Sequence, residues 1–207
     1  IHAGVIKETV RIGMEGCFAC PIRCKKVIKF EEPYKVEPEY GGPEYETLGS
    51  LGSLLCVGDL TAVSKGNELC NRYGLDTISA GVAIALAMEC YEKGIFSRND
   101  LDGLDMKWGN VEAVKAMLNK VAKKEGIGNL LSQGVMRASQ KNGGEAADCA
   151  IYALKGCTPR SHDHRGGGAP AAEAAGHDRW GPPAGARRTL AVRGAGRRER
   201  RGLPWRS

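Results

Sequence analysis

Three cysteines fall within eight residues, in the run Gly16-Cys17-Phe18-Ala19-Cys20-Pro21-Ile22-Arg23-Cys24. The spacing C-x2-C-x3-C puts three thiolates on one tight loop punctuated by Gly16 and Pro21. Such a loop can reach three corners of a four-iron cluster, which then needs a fourth ligand from elsewhere. Zinc is the rival occupant, but structural zinc sites usually bring their ligands in two pairs, and no second C-x2-C or H-x3-H partner follows at zinc-finger distance. Of the remaining cysteines, Cys56, Cys70, Cys90 and Cys149 fall on or beside expected helices, where a small buried side chain is the ordinary role. Nothing resembles a secretory signal and three thiols are crowded together, so reduced, metal-serving cysteines are expected rather than a disulfide framework.

Two further segments bring acids toward a potential site. In Gly41-Gly42-Pro43-Glu44-Tyr45-Glu46-Thr47 a sharp turn delivers two carboxylates, Glu44 and Glu46. They either favour the dipole of a following helix or act as an acid or base in a closed site. In Asn71-Arg72-Tyr73-Gly74-Leu75-Asp76-Thr77-Ile78-Ser79, Asp76 suits a helix N-cap, with Thr77 and Ser79 in the first turn. The same acid could accept hydrogen bonds from an N–H-rich heterocycle, beside the free donors of a helix N-terminus. A last segment, Lys155-Gly156-Cys157-Thr158-Pro159-Arg160-Ser161-His162-Asp163-His164-Arg165, concentrates basic and metal-capable groups in a polar loop.

The elements that must position these groups read as mainly α. Residues 4–14 have near-helical spacing and run into the cysteine loop; 26–40 suggest a short strand and an irregular connection. Helical patterns follow at 48–55, at 60–73 with Asp59 as N-cap, at 76–93, at 110–124 and at 129–141. The longest apolar stretch, Ile78 to Met88, is well short of the roughly 20 residues of a membrane span. A soluble, cytoplasmic protein with no membrane partner is therefore expected.

The formal charge of +6 needs mapping before it is used. The last 42 residues hold nine Arg, no Lys and three acids, so residues 1–165 are neutral. A zinc-stabilised nucleic-acid-binding module would need its basic residues on the folded part, and no nucleic-acid partner is expected. From Gly166 to Ser207 the sequence is dominated by Gly, Ala, Arg and Pro and lacks Ile, Met, Phe, Tyr and Cys. That composition cannot bury a core, so a body of 1–165 followed by a disordered tail at 166–207 is expected. The switch at Arg165, from a Lys-rich to an Arg-rich regime, is what an out-of-frame translation of a GC-rich gene would give.

The segments GCFACPIRCKK, GGPEYETLG, NELCNRYGLDTIS and ALKGCTPRSHDHR, in this order, resemble the aldehyde ferredoxin oxidoreductase family from about Gly4 to Arg165. The DHR ending and the EYGGPEYETLG form look closest to the branch with tungsten subunits of benzoyl-CoA-reducing complexes. The resemblance implies a helical domain of that family's type, a 4Fe-4S cluster, and tungsten (or molybdenum) held by two pterins. It also implies oxidation of aldehydes to acids with ferredoxin as electron acceptor, in a homodimer or with electron-transfer subunits. Carried over to this chain, Cys17, Cys20 and Cys24 become cluster ligands. Asp76, with Thr77 beside it, becomes a pterin contact, Glu44 or Glu46 a carboxylate near the metal, and Lys155 to Arg165 a stretch near the cofactor. The family's β-rich N-terminal domain and fourth cluster cysteine have no counterpart here, so the polypeptide alone is expected to be inactive.

Overall fold

The computed structural model describes residues 3–150. Lys155, Arg165, the two histidines between them and the 166–207 tail lie outside the described residues.

The chain enters through α1 (Ala3–Thr9) and then, against the helical reading of 4–14, straightens into β1 (Arg11–Glu15). Its partner is β2 (Lys25–Ile28), antiparallel, with Met14 opposite Lys26 and Glu15 opposite Lys25 and an irregularity between Arg11 and Gly13. The alternation of Arg11 to Glu15 fits a period of two as well as 3.6 over so short a stretch, and only a partner strand beyond the cysteines decides it. The cysteine loop is thereby the tip of a hairpin. Ile6, Val10, Ile28, Val36 and Leu60 bury together beneath it and seat the hairpin on the helical body.

That body is built by helices whose ends are written locally. A short α2 (Tyr45–Thr47) runs into a π turn at Leu48–Ser53. The helix α3 (Leu60–Tyr73) is capped by Asp59, which accepts from Thr61 N at 2.8 Å, and ends at Gly74. Next comes α4 (Thr77–Glu92), buried on most faces, as its Ala-rich sequence allows. Asn110 caps α5 (Val111–Lys123). The expected helix over 129–141 is instead two, α6 (Ile127–Leu131) and α7 (Val135–Asn142), followed by α8 (Glu145–Asp148). The break falls where Gly134 takes φ +86°, a conformation that side-chain-bearing residues rarely adopt, and the chain turns to lay α7 against α4.

The main core joins Leu51, Ile84, Met88, Leu101, Met106, Met117, Leu118 and Leu131, all at most 2% exposed. At Gly81 the backbone of α4 meets the π turn so closely that a Cβ would lie 2.6 Å from Ser50 O. Cys70, Cys90 and Cys149 are buried, as expected, but Cys56 is not: it follows the π turn in a left-handed conformation, φ +58°, and faces solvent. Among the described residues no single helix is long and apolar enough to cross a membrane. The pair α3 and α4 passes by combined length and composition but is bent by 115°.

Candidate cofactor site

One open cleft of about 410 Å³ lies between the hairpin tip, the Gly-Gly-Pro turn and the α3–α4 junction. Cys17, Cys24 and Lys25 line it from the hairpin; Tyr40, Gly41, Gly42, Glu44 and Thr47 from the turn; Asn67, Asn71, Leu75, Asp76 and Thr77 from the helices. Four segments that are separate in sequence thus face one space.

The cysteine loop earns its shape from local backbone. Cys20 N donates to Cys17 O at 3.0 Å, and Ala19 and Arg23 both take positive φ, +56° and +52°. These reversals return the chain within eight residues. Cys17 and Cys24 are exposed and Cys20 is partly so, in contrast to Cys70 and Cys90, whose thiols burial pushes up to about 12. The accessible thiols among the described residues are therefore those of the loop and Cys56, and only the loop gathers three of them. Among the described residues no three His, Cys, Asp or Glu side chains gather around one point as a single-ion site requires. A cubane, whose thiolates bind separate irons, does not require it. Three free thiols on one reversing loop, two of them facing the cleft, fit such a cluster.

The second wall is tied down by amides and a buried ion network. Asn67 Nδ2 donates to Gly41 O at 3.2 Å and Asn71 Nδ2 to Tyr40 O at 2.8 Å, so two residues one turn apart on α3 hold the start of the turn. Glu68, on the same helix and 1% exposed, accepts from Lys65 Nζ at 3.2 Å, Arg72 Nη2 at 2.7 Å and Glu37 N at 3.3 Å. A carboxylate so deeply placed is tolerable only because all three donors meet it. Arg72 also stacks over the Tyr40 ring at 4.7 Å. The turn then passes to Glu44, whose Oε2 is 2.6 Å from Lys26 Nζ of the hairpin.

At the third wall Asp76 accepts from Ser79 N at 2.8 Å and so caps α4. Thr77 Oγ1 is 2.9 Å from Thr47 Oγ1, and Ser50 Oγ donates to Thr77 O at 3.1 Å. The two threonines join the turn to the helix at the back of the cleft. The remaining Oδ of Asp76 and the first amides of α4 make this edge suited to a polar, N–H-bearing ring.

Of the residues singled out by sequence, Cys17, Cys24, Glu44, Asp76 and Thr77 line the cleft. Cys20 shares the loop without lining it. Glu46 is half-buried one helical step from Glu44 and is not part of the lining. Lys25, Lys26, Thr47, Asn67 and Asn71 were not singled out. Asn67 is buried and Asn71 exposed, and neither stands out in sequence from other polar residues on a helix.

Residues 1–186 match the family model described as aldehyde ferredoxin oxidoreductase, domains 2 and 3, and the chain belongs to that family of oxidoreductases. Among its relatives are the tungsten-containing aldehyde ferredoxin oxidoreductases of Pyrococcus furiosus, 40% identical over 128 residues, and Pyrococcus horikoshii, 38% over 131. These alignments cover 61% and 62% of this chain but 20% and 21% of the relatives, so the chain spans about a fifth of their length. The active-site complex BamBC of benzoyl coenzyme A reductase, solved with 1,5-dienoyl-CoA, superposes with a TM-score of 0.60 at 29% identity. That likeness covers 72% of this chain and 22% of the other. The family match reaches 186, beyond the compositional switch at Arg165.

Proposed function

We propose that the whole protein to which this chain contributes is a tungsten-pterin oxidoreductase that oxidises aldehydes to carboxylic acids and delivers electrons to ferredoxin. The observation that carries this reading is the convergence of Cys17, Cys24, Glu44, Asp76 and Thr77 on one cleft, from segments up to 60 residues apart in sequence. When bound, a tungsten bis-pterin centre supplies two-electron oxidation, and a neighbouring 4Fe-4S cluster supplies one-electron transfer.

The chain's own residues divide the remaining work. Cys17, Cys20 and Cys24 hold three corners of the cluster. Asp76, with the amide end of α4 and the Thr77 hydroxyl, accepts and donates hydrogen bonds to a pterin edge. Glu44, rather than Glu46, faces the cleft and serves as the carboxylate that takes or returns a proton, oriented by Lys26. Lys155 and Arg165 are proposed as further contacts to the same group.

The test is metal analysis of the full-length protein, together with aldehyde-dependent reduction of ferredoxin. Iron and tungsten with turnover support the reading; zinc alone ends it. A second reading, a tungsten subunit of a benzoyl-CoA-reductase-type complex, is favoured by the likeness to the BamBC complex. Turnover of an aromatic CoA thioester without turnover of aldehydes would select it.

A further inference from the structure

Among the described residues that line the cleft, Lys25 is the one cation, against the carboxylates of Glu44 and Asp76. Each acid is already engaged: Glu44 meets Lys26 Nζ at 2.6 Å, and Asp76 accepts from Ser79 N at the start of α4. Lys25 is held only loosely, by Glu15 Oε2 at 3.6 Å across the hairpin, and both side chains stay partly exposed. Its course is nevertheless shaped. The stem lies over Gly41, where a Cβ would stand 2.9 Å from Lys25 Cε and 3.6 Å from Cγ. Gly41 takes φ +68°, so the turn leaves a bare slot that the lysine fills. A lysine that served only solubility would need no such slot. Lys25 also directly follows Cys24, which with Cys17 lines the same space.

Resting on the cluster reading above, we infer that Lys25 sets the reduction potential of the cluster held by Cys17, Cys20 and Cys24, its ammonium stabilising the reduced form. Reduction adds one electron, and so one negative charge, to a group already ringed by thiolates. A fixed cation beside that charge favours the reduced form over the oxidised one and raises the potential. Of the other cations on this part of the hairpin, Lys26 is engaged by Glu44 and Arg23 Nη2 turns to Met14 O at 3.5 Å, and neither lines the cleft.

The electrons balance with the proposed reaction. An aldehyde and water give a carboxylic acid, two protons and two electrons, and each electron in turn reduces the cluster once and then one ferredoxin. Lys25 takes no part in bonds made or broken. Its charge decides how much of the cluster is reduced while the substrate is being oxidised.

The experiment is a potentiometric titration of the loaded full-length protein, read by the EPR signal of the reduced cluster, with iron content measured alongside. Lys25→Met should lower the midpoint potential with iron content unchanged. The expected fall shifts the reduced-to-oxidised ratio at fixed poise by about tenfold, which is about 59 mV for a one-electron couple. Lys25→Arg keeps the charge and should stay at the wild-type value. Glu15→Gln, which leaves the lysine stem in place, should raise the potential. Lys29→Met, an exposed cation just past β2 and outside the lining, should leave it unchanged. An unchanged potential in Lys25→Met overturns the inference. An equal fall in Lys25→Arg also overturns it, by assigning the effect to the stem on Gly41 rather than to charge. If Lys25→Met loses its iron, Glu15→Gln decides, and no rise there overturns the inference. A wild-type protein with neither iron nor the EPR signal overturns the cluster reading itself, and this inference with it.

Discussion

Lys26 Nζ and Glu44 Oε2 lie 2.6 Å apart and join the hairpin that carries the cysteines to the turn that carries the acid. The link is doubled by backbone: Gly42 N donates to Lys26 O at 2.7 Å. Two walls of the cleft therefore move together. Because Glu44 is more than half exposed, the ion pair itself contributes little, under about 1 kcal/mol. A double-mutant cycle of Lys26→Met and Glu44→Gln, read by urea unfolding, should give a coupling of about 0.5 kcal/mol. The larger effect is expected in function: Lys26→Met should lower turnover, by releasing Glu44 from its position, while iron content stays unchanged.

Replacement of Cys20 by Ser in the full-length protein should abolish the EPR signal of the reduced cluster. Cys56→Ser, on the exposed side of the π turn, should leave it intact. Equal loss from both variants would remove the loop from the ligand set.

Asp76 caps α4 in the structure and is a pterin contact in the proposed function, and the two roles can be separated. As an N-cap it stabilises α4, and Asp76→Ala should cost about 0.5–2 kcal/mol, with Asp76→Asn retaining most of that. As a pterin contact it needs its charge, so Asp76→Asn should lose bound pterin while keeping its melting temperature. Full pterin content in Asp76→Asn leaves only the cap.

Acid should weaken one specific joint. Asp102 accepts from Ile127 N at 3.0 Å and from Lys120 Nζ at 3.1 Å, and these hold its carboxyl below the usual carboxylate range, the backbone bond foremost. A carboxyl more acidic when folded adds stability above its unfolded pKa, about 3.9, and loses it as pH falls through the lower folded value. Asp102→Asn should therefore be less stable than wild type at neutral pH, by about 0.5–1 kcal/mol. The gap should close as pH falls below the unfolded value and through the lower folded one. An unchanging gap in pH-dependent urea titrations would mean that ionisation of Asp102 is irrelevant.

The reading-frame proposal for 166–207 is settled by the nucleotide sequence. Ala174-Ala175-Gly176-His177-Asp178 must be encoded by GCN GCN GGN CAY GAY, which one base later permits Leu-Leu-Asp-Thr. The +1 frame after codon 165 should run on without early stops into a helix-like, cysteine-bearing continuation. Early stops there would make the basic tail genuine, and the family match as far as 186 makes that comparison pointed.

What the sequence made legible follows the range of the forces involved. The helices α3, α4 and α5 were readable because each carries its own cap and its own apolar face: Asp59, Asp76 and Asn110 all accept from a first-turn amide as their types suggest. The strand β1 was misread because its pairing partner lies beyond the cysteine loop. The choice between Glu44 and Glu46 was equally closed to sequence, since it depends on Lys26 arriving from another element. Asn67 and Asn71 were missed for the same reason: an amide that clamps a distant carbonyl looks like any polar residue on a helix.

The contact of Gly81 with Ser50 has a further meaning for how such a site can diverge. Side chains that pad an interface can be exchanged for slightly larger or smaller ones, and the elements drift apart by graded steps. Here backbone presses on backbone, so a single added methyl at 81 has nowhere to go except into displacement of the π turn, and with it Ser50 and the neighbouring Thr47. The position works as a gauge block: it sets the aperture of the cleft's back wall, and a lineage that changes it changes the mouth of the site in one jump rather than by degrees.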